Sequence, residues 1–208
     1  MTANDRLVWI DCEMTGLSVA ADEIVEIACI VTEADLTEID TGISLVVKPN
    51  DAPLAAMDPF VLNMHTVSGL LEKIPGGITL ADAEEQVLAY VKQHVPEERK
   101  APLAGSSVYV DRGFLAKYMP RLDAHLHYRL IDVSSIKELG KRWYPRVYYS
   151  SPEKSGNHRA LGDIRESIAE LRYYRDAVFV EQPGPDSQAA KAISGSHVVD
   201  HRVQPIGE

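Results

Sequence analysis

Asp11 and Glu13 stand two residues apart at the end of an apolar run, Leu7-Val8-Trp9-Ile10. On a β-strand that spacing turns both carboxylates to one face and Cys12 to the other. Two carboxylates side by side repel, and a bound cation removes that cost. A solvated strand edge would also tolerate them, but the apolar run reads as a central strand. Two further acids, Asp111 and Asp163, each lie near the start of a segment with helical pattern, and His158 precedes Asp163 by five residues. Taken singly, Asp111 and Asp163 read as acids placed at helix N-termini. Taken together, four carboxylates and an imidazole are what a phosphodiester hydrolysis on two cations needs. On one helix His158 and Asp163 would point about 140° apart. Gly156-Asn157 instead puts His158 on the loop leading into the helix.

The elements that must position these groups follow from periodicity and turn signals. β-rich runs at 7–13, 24–32 and 39–47 predict three strands in a meander. Pro49 to Pro59 reads as a loop with three prolines. Thr66 is placed to cap a helix over 67–73, which stops at Pro75-Gly76-Gly77. Thr79 with Asp82 resembles a capping box. Leu80, Ala83, Val87, Leu88 and Val91 then recur at helical spacing as far as His94. A fourth strand is predicted over 102–108, a helix over 109–119 stopped by Pro120, and a fifth strand from Tyr128 to Val133. Ser134 is placed to cap a helix over 135–143. Tyr144 to Gly156 reads as a loop, and 160–179 as a long helix with Ile164, Ile168, Leu171 and Val178 along one side. Beyond about 181 the chain is rich in Gly, Pro, Ser, Ala and Gln without sustained period. The expected organisation is an α/β domain over 1–180 and a flexible C-terminal tail over 181–208.

The 208 residues suffice for one α/β core, and a composition 45% hydrophobic and 25% charged is that of an ordinary globular chain. No apolar run approaches the ~20 residues of a membrane span, so no membrane partner is expected. Met1 to Arg6 lacks the basic and apolar regions of a signal peptide. Cys12 and Cys29 sit in strand-like apolar runs and read as buried free thiols in a reducing, cytoplasmic setting. The net charge of −10 argues against a long nucleic-acid groove. Residues 137–175 nevertheless hold nine Lys and Arg against five Asp and Glu. That local excess suits a substrate with few phosphates, although solvated helix faces would produce it too.

The motifs together resemble the DEDD exonuclease superfamily, in its histidine-base branch, and within that the oligoribonuclease family. The resemblance covers nearly all of 6–178. It rests on Trp9-Ile10-Asp11-Cys12-Glu13-Met14-Thr15-Gly16-Leu17, on Ser107-Val108-Tyr109-Val110-Asp111-Arg112-Gly113-Phe114-Leu115, and on His158-Arg159-Ala160-Leu161-Gly162-Asp163-Ile164. Tyr128-Arg129-Leu130-Ile131-Asp132-Val133-Ser134 adds to it. It implies a ribonuclease H-like exonuclease fold, with a mixed five-stranded sheet flanked by helices. It implies 3′→5′ hydrolysis of short single-stranded oligoribonucleotides, chiefly dinucleotides, to nucleoside 5′-monophosphates, with no long nucleic acid as substrate.

By the same resemblance, Asp11, Glu13, Asp111 and Asp163 hold two divalent cations, Mg²⁺ or Mn²⁺, and are catalytic together with His158, the general base. Leu17 wedges between the two bases, while Phe60 and His65 line the pocket. Ser107, Arg129 and Ser134 cap the 5′ phosphate. Tyr128 reaches in from a partner subunit, which makes the protein a homodimer. The family usually has tryptophan in place of Phe60 and Asn-Ser in place of Ser106-Ser107. Taken without the family, Tyr128 and Arg129 read as an edge-strand aromatic and a surface ion pair. Asp132 and Glu26 read as structural, Glu26 meeting a nearby arginine. Trp143, Tyr144, Tyr148 and Tyr149 form an aromatic group, read as dimer face rather than core.

Overall fold

The computed structural model describes residues 5–153, 156 and 158–197. Its centre is a five-stranded sheet in the order β3-β2-β1-β4-β5. The strands are β1 (Leu7–Met14), β2 (Ile24–Thr32), β3 (Ile43–Val46), β4 (Pro102–Gly105) and β5 (His127–Asp132). β1, β2 and β3 pair antiparallel, while β4 and β5 run parallel to β1. The sheet is therefore mixed, as expected. Val8, Ile10, Cys12 and Met14 face one core layer, built with α3 (Leu80–His94) and α4 (Tyr109–Tyr118). Trp9 faces the other, where Ile164, Ile168, Leu171 and Tyr174 of α8 (Ala160–Val178) cover it. β2 is buried along its whole length, because helices cover both faces.

Several elements differ from expectation for identifiable reasons. The third strand covers only 43–46, because the Asp40 carboxylate accepts from Gly42 N–H (2.8 Å) and Gly42 turns the chain at φ +75°. The loop expected at 49–59 instead forms α1 (Asp51–Ala55) and starts α2 (Pro59–Val67). Asp58 caps α2 by accepting from Phe60 N–H, with Pro59 in the first turn. Thr66 ends that helix rather than capping another; its hydroxyl donates to the Leu62 carbonyl. Pro120 stops α4 but opens the short α5 (Pro120–His125). α6 (Val133–Trp143) is capped by Asp132, whose carboxylate accepts from Ser134 N–H, so the cap lies two residues before the one predicted. α7 (Pro145–Tyr148) lies within the expected loop. α9 (Ser187–Gly195) lies within the expected tail, capped by Asp186 and with no buried residue. The end of the tail, 198–208, lies outside the described residues. Thr79 caps α3 as expected, accepting from Asp82 N–H and donating to the Asp82 carboxylate.

Trp143, Tyr144 and Tyr149 are exposed and do not join the core. Both cysteines are buried and free. No helix among the described residues is long and apolar enough to cross a membrane. Ile164, 1% exposed, seats α8 on the sheet one residue after Asp163. Ile164→Ala should therefore destabilise the fold by about 2–5 kcal/mol. Urea denaturation followed by circular dichroism measures this directly.

Candidate active site

The acidic groups meet at the carboxyl-end edge of the parallel strands, where open α/β sheets bind ligands. Strand alternation places Asp11 and Glu13 on the face that α8 covers, and Asp163 stands in the first turn of α8. One oxygen each from Asp11, Glu13 and Asp163 lies within 4.8 Å of the others. Asp111, in the first turn of α4, comes from the other side of β1. Its Oδ1 accepts from Cys12 N–H at 2.9 Å.

Glu26 joins this group from β2, directly across from Glu13 in the antiparallel register. It is 1% exposed and is held by Arg159, whose Nη2 donates to Oε1 at 2.7 Å. Ser44 hydroxyl and Ala160 N–H donate to the same carboxylate. The sequence foretells a glutamate–arginine pair but not its place beneath the acidic cluster. Strand register was the signal that could have located it.

The electrostatic cost is plain. Asp11 is held well above the usual carboxylate range, first by burial and then by the charges of Asp111, Glu13, Asp163 and Glu26. Glu13 is pushed up to about 8 by burial, Asp163, Glu26 and Asp111, against a downward pull from Arg159. Asp111 is raised to about 7 by burial and by Asp132, while backbone N–H groups, Cys12's among them, oppose the rise. Burial and the same acids push the Cys12 thiol up, so it offers no thiolate. Buried carboxylates that repel one another and offer only oxygen fit a hard divalent cation. Their donor chemistry and their spacing agree.

His158 is exposed, in the left-handed region at φ +46°. With Arg159, Gly156, Phe60, Met64 and Val67 it lines an open pocket of about 520 Å³. Phe60 is 75% exposed, its ring available for stacking. His65 is fully buried and does not line that pocket. Its Nε2 lies 2.8 Å from the Met14 carbonyl, and its Nδ1 lies 4.0 Å from Glu13. It meets the site from behind. Leu17 is exposed on the turn after β1.

Ser107 and Ser134 come together, their hydroxyls 3.0 Å apart. One oxygen of Asp132 accepts from both of their N–H groups, each at 2.9 Å. Asp132 is thus structural, and Ser107 is held at φ +53°. Arg129 does not join the two serines; its guanidinium lies over the Tyr128 ring, 5.4 Å from the centroid. Tyr128, 73% exposed, stands at the opposite end of β5 from Asp132.

Comparison with known proteins agrees with this geometry. The RNase T exonuclease family model matches residues 8–171. An oligoribonuclease of Streptomyces avermitilis is 61% identical over 94% of this chain and 98% of its own. Those of Streptomyces coelicolor and Leifsonia xyli are 62% and 59% identical, over 94% and 95% of this chain and 98% and 95% of their own. The chain belongs to the exonuclease family and, within it, to the oligoribonucleases. Among solved structures, the zinc-bound form of the E. coli Exonuclease I complex with single-stranded DNA superposes with a TM-score of 0.66 at 14% identity, over 84% of this chain. This chain spans 41% of that one, and the likeness is one of fold.

Glu13 keeps its proton to about pH 8 in the folded chain and loses it near 4.5 when unfolded. The folded form binds more protons across that window, so without cations stability should fall as pH rises through it. Glu13→Gln should flatten that slope, and added Mn²⁺ should raise the melting temperature most at the alkaline end. Thermal melts across pH, with EDTA and with Mn²⁺, measure both. A pH-independent midpoint in EDTA would contradict the buried-charge account.

Proposed function

We propose that this protein is a 3′→5′ exoribonuclease that cuts very short oligoribonucleotides, chiefly dinucleotides, to nucleoside 5′-monophosphates, the final step of RNA decay. The observation that carries this reading is the convergence of Asp11, Glu13 and Asp163 beside Asp111, in a chain of this family. The four carboxylates hold two divalent cations, Mg²⁺ or Mn²⁺, in keeping with their all-oxygen donors. When bound, the cations supply water activation and stabilise charge on the leaving oxygen.

The chain's own residues do the rest. His158, on the pocket rim, accepts a proton from the attacking water at a ring nitrogen, and must be neutral to do so. Leu17 inserts between the bases, and Phe60 gives one of them a stacking face. His65 supports Glu13 from within the core. The Ser107 and Ser134 hydroxyls bind the 5′ phosphate, and the Arg129 guanidinium leaves the Tyr128 ring to join them on it. A capped pocket on a protein of charge −10 repels longer strands and offers nothing to a membrane.

Tyr128 is supplied in trans. It sits at the far end of β5 from its own serine pair, which supports a site completed by the second subunit of a homodimer. Exposed Trp143, Tyr144 and Tyr149 provide apolar area for that contact. The buried free thiols accord with work in the cytoplasm.

Turnover of a labelled 5′-phosphorylated dinucleotide should exceed that of an RNA of about 20 nucleotides, which adds phosphates that the acidic surface repels. Asp11→Ala should abolish both activities. Equal or faster loss of the longer RNA would defeat the short-substrate reading. Sedimentation should give a dimer, and Tyr128→Ala should lower activity without altering the melting temperature. A fully active monomer would rule out the trans tyrosine.

A further inference from the structure

The turn that carries Leu17 is tied down far more heavily than an exposed loop requires. Within it, Asp22 acts as a hub: Oδ1 accepts from the Thr15 hydroxyl and Oδ2 from Ser18 N–H, each at 2.9 Å. Ser18 carbonyl accepts from Ala21 and Asp22 N–H, and Thr15 N–H donates to the Glu23 carbonyl. A Cβ on Gly16 would come within 2.5 Å of the Asp22 carboxylate, so only glycine lets the turn close this tightly.

α4 holds the same turn from outside. The Lys117 ammonium donates to the Val19 carbonyl (2.6 Å), the Ala20 carbonyl (3.3 Å) and the Tyr118 hydroxyl (2.6 Å). Tyr118 hydroxyl donates in turn to the Asp22 carbonyl (2.7 Å). Val19 packs against Gly113, where a Cβ would meet it at 3.3 Å. Lys117 is an exposed lysine, yet all three of its N–H donors are engaged. Ordering such a side chain gives up much of its rotamer freedom. The other end of α4 holds Asp111 against Cys12 N–H. One rigid helix therefore touches both the acidic cluster and the turn bearing Leu17.

We propose that Lys117 and Tyr118 are positioning residues that fix Leu17 relative to the carboxylate cluster, with α4 as the spacer. The pair thereby sets how the base on the 5′ side of the cut bond is seated. This rests on the short-substrate reading and deepens it by assigning what holds the wedge. Neither side chain touches the reacting atoms. Their loss affects only substrates that carry a second base.

The test compares two substrates in the full-length protein with Mn²⁺. One is a 5′-phosphorylated diribonucleotide. The other is the p-nitrophenyl ester of a nucleoside 5′-monophosphate, which lacks the 5′-side base. Lys117→Met should lower kcat/KM on the dinucleotide roughly tenfold and leave the ester within about twofold. Tyr118→Phe, which removes only a hydroxyl, should give a smaller loss with the same selectivity. Lys117→Arg should recover part of the loss. Adding Lys117→Met to Leu17→Ala should cost nothing further on the dinucleotide, because both act through one group. Equal losses on both substrates, no loss on either, or additive effects with Leu17→Ala would overturn the proposal. If the wild type turns over long RNA as fast as the dinucleotide, the short-substrate reading fails instead.

Discussion

Mutual repulsion among buried carboxylates is the constraint around which this molecule is arranged. Asp11, Glu13, Asp111, Asp163 and Glu26 crowd the carboxyl-end edge of a sheet, and burial raises the cost of charge on Asp11, Glu13 and Asp111. Carboxylate groups add no apolar burial of their own to offset that cost. It is met elsewhere, by a β2 strand buried along its whole length and by α8 clamped over Trp9. A stable scaffold can hold such a cluster ready for a cation; a marginal one would splay.

One member of the cluster is bound directly by an arginine. Glu26 pairs with Arg159, and that pair does more than neutralise a charge. Arg159 follows His158 directly, so the anchor lies next to the exposed imidazole. Ala160 N–H adds a bond to the same carboxylate and fixes where α8 begins. The position of Asp163 three residues on follows from that starting point. The pair thus aligns a strand, a loop and a helix at the site.

Much of this was legible in the sequence, and the failures have physical causes. Alternation alone put Asp11 and Glu13 on one face and Cys12 on the other. Thr79 and Asp82 announced α3, and the apolar stripe announced α8. The stretch from Pro49 to Pro59 misled because proline suits a first helical turn as well as a loop, and Asp58 ahead of Pro59 was the cap signal. Asp132 and Ser134 are both good caps two residues apart, and only the backbone direction after β5 decides between them. α9 was hidden by flanking Gly and Pro, although Asp186 and an alanine-rich run carried the signal. Glu26 and the burial of His65 depend on what lies across the sheet or behind a strand. Local pattern does not encode either.

The pairing of Glu13 with Glu26 has a consequence for how such chains can vary. Side chains on neighbouring strands alternate with a period of two, so parity matters more than length. Deleting a single residue within β2 would bring Val25 or Ile27 opposite Glu13 and turn the arginine's anchor to the far layer. Insertions confined to the turn between the strands keep that parity, whereas odd changes inside either strand invert it. Viable length variation along the two strands is therefore quantised in even steps, while the tip answers to a separate constraint, the ties that seat Leu17.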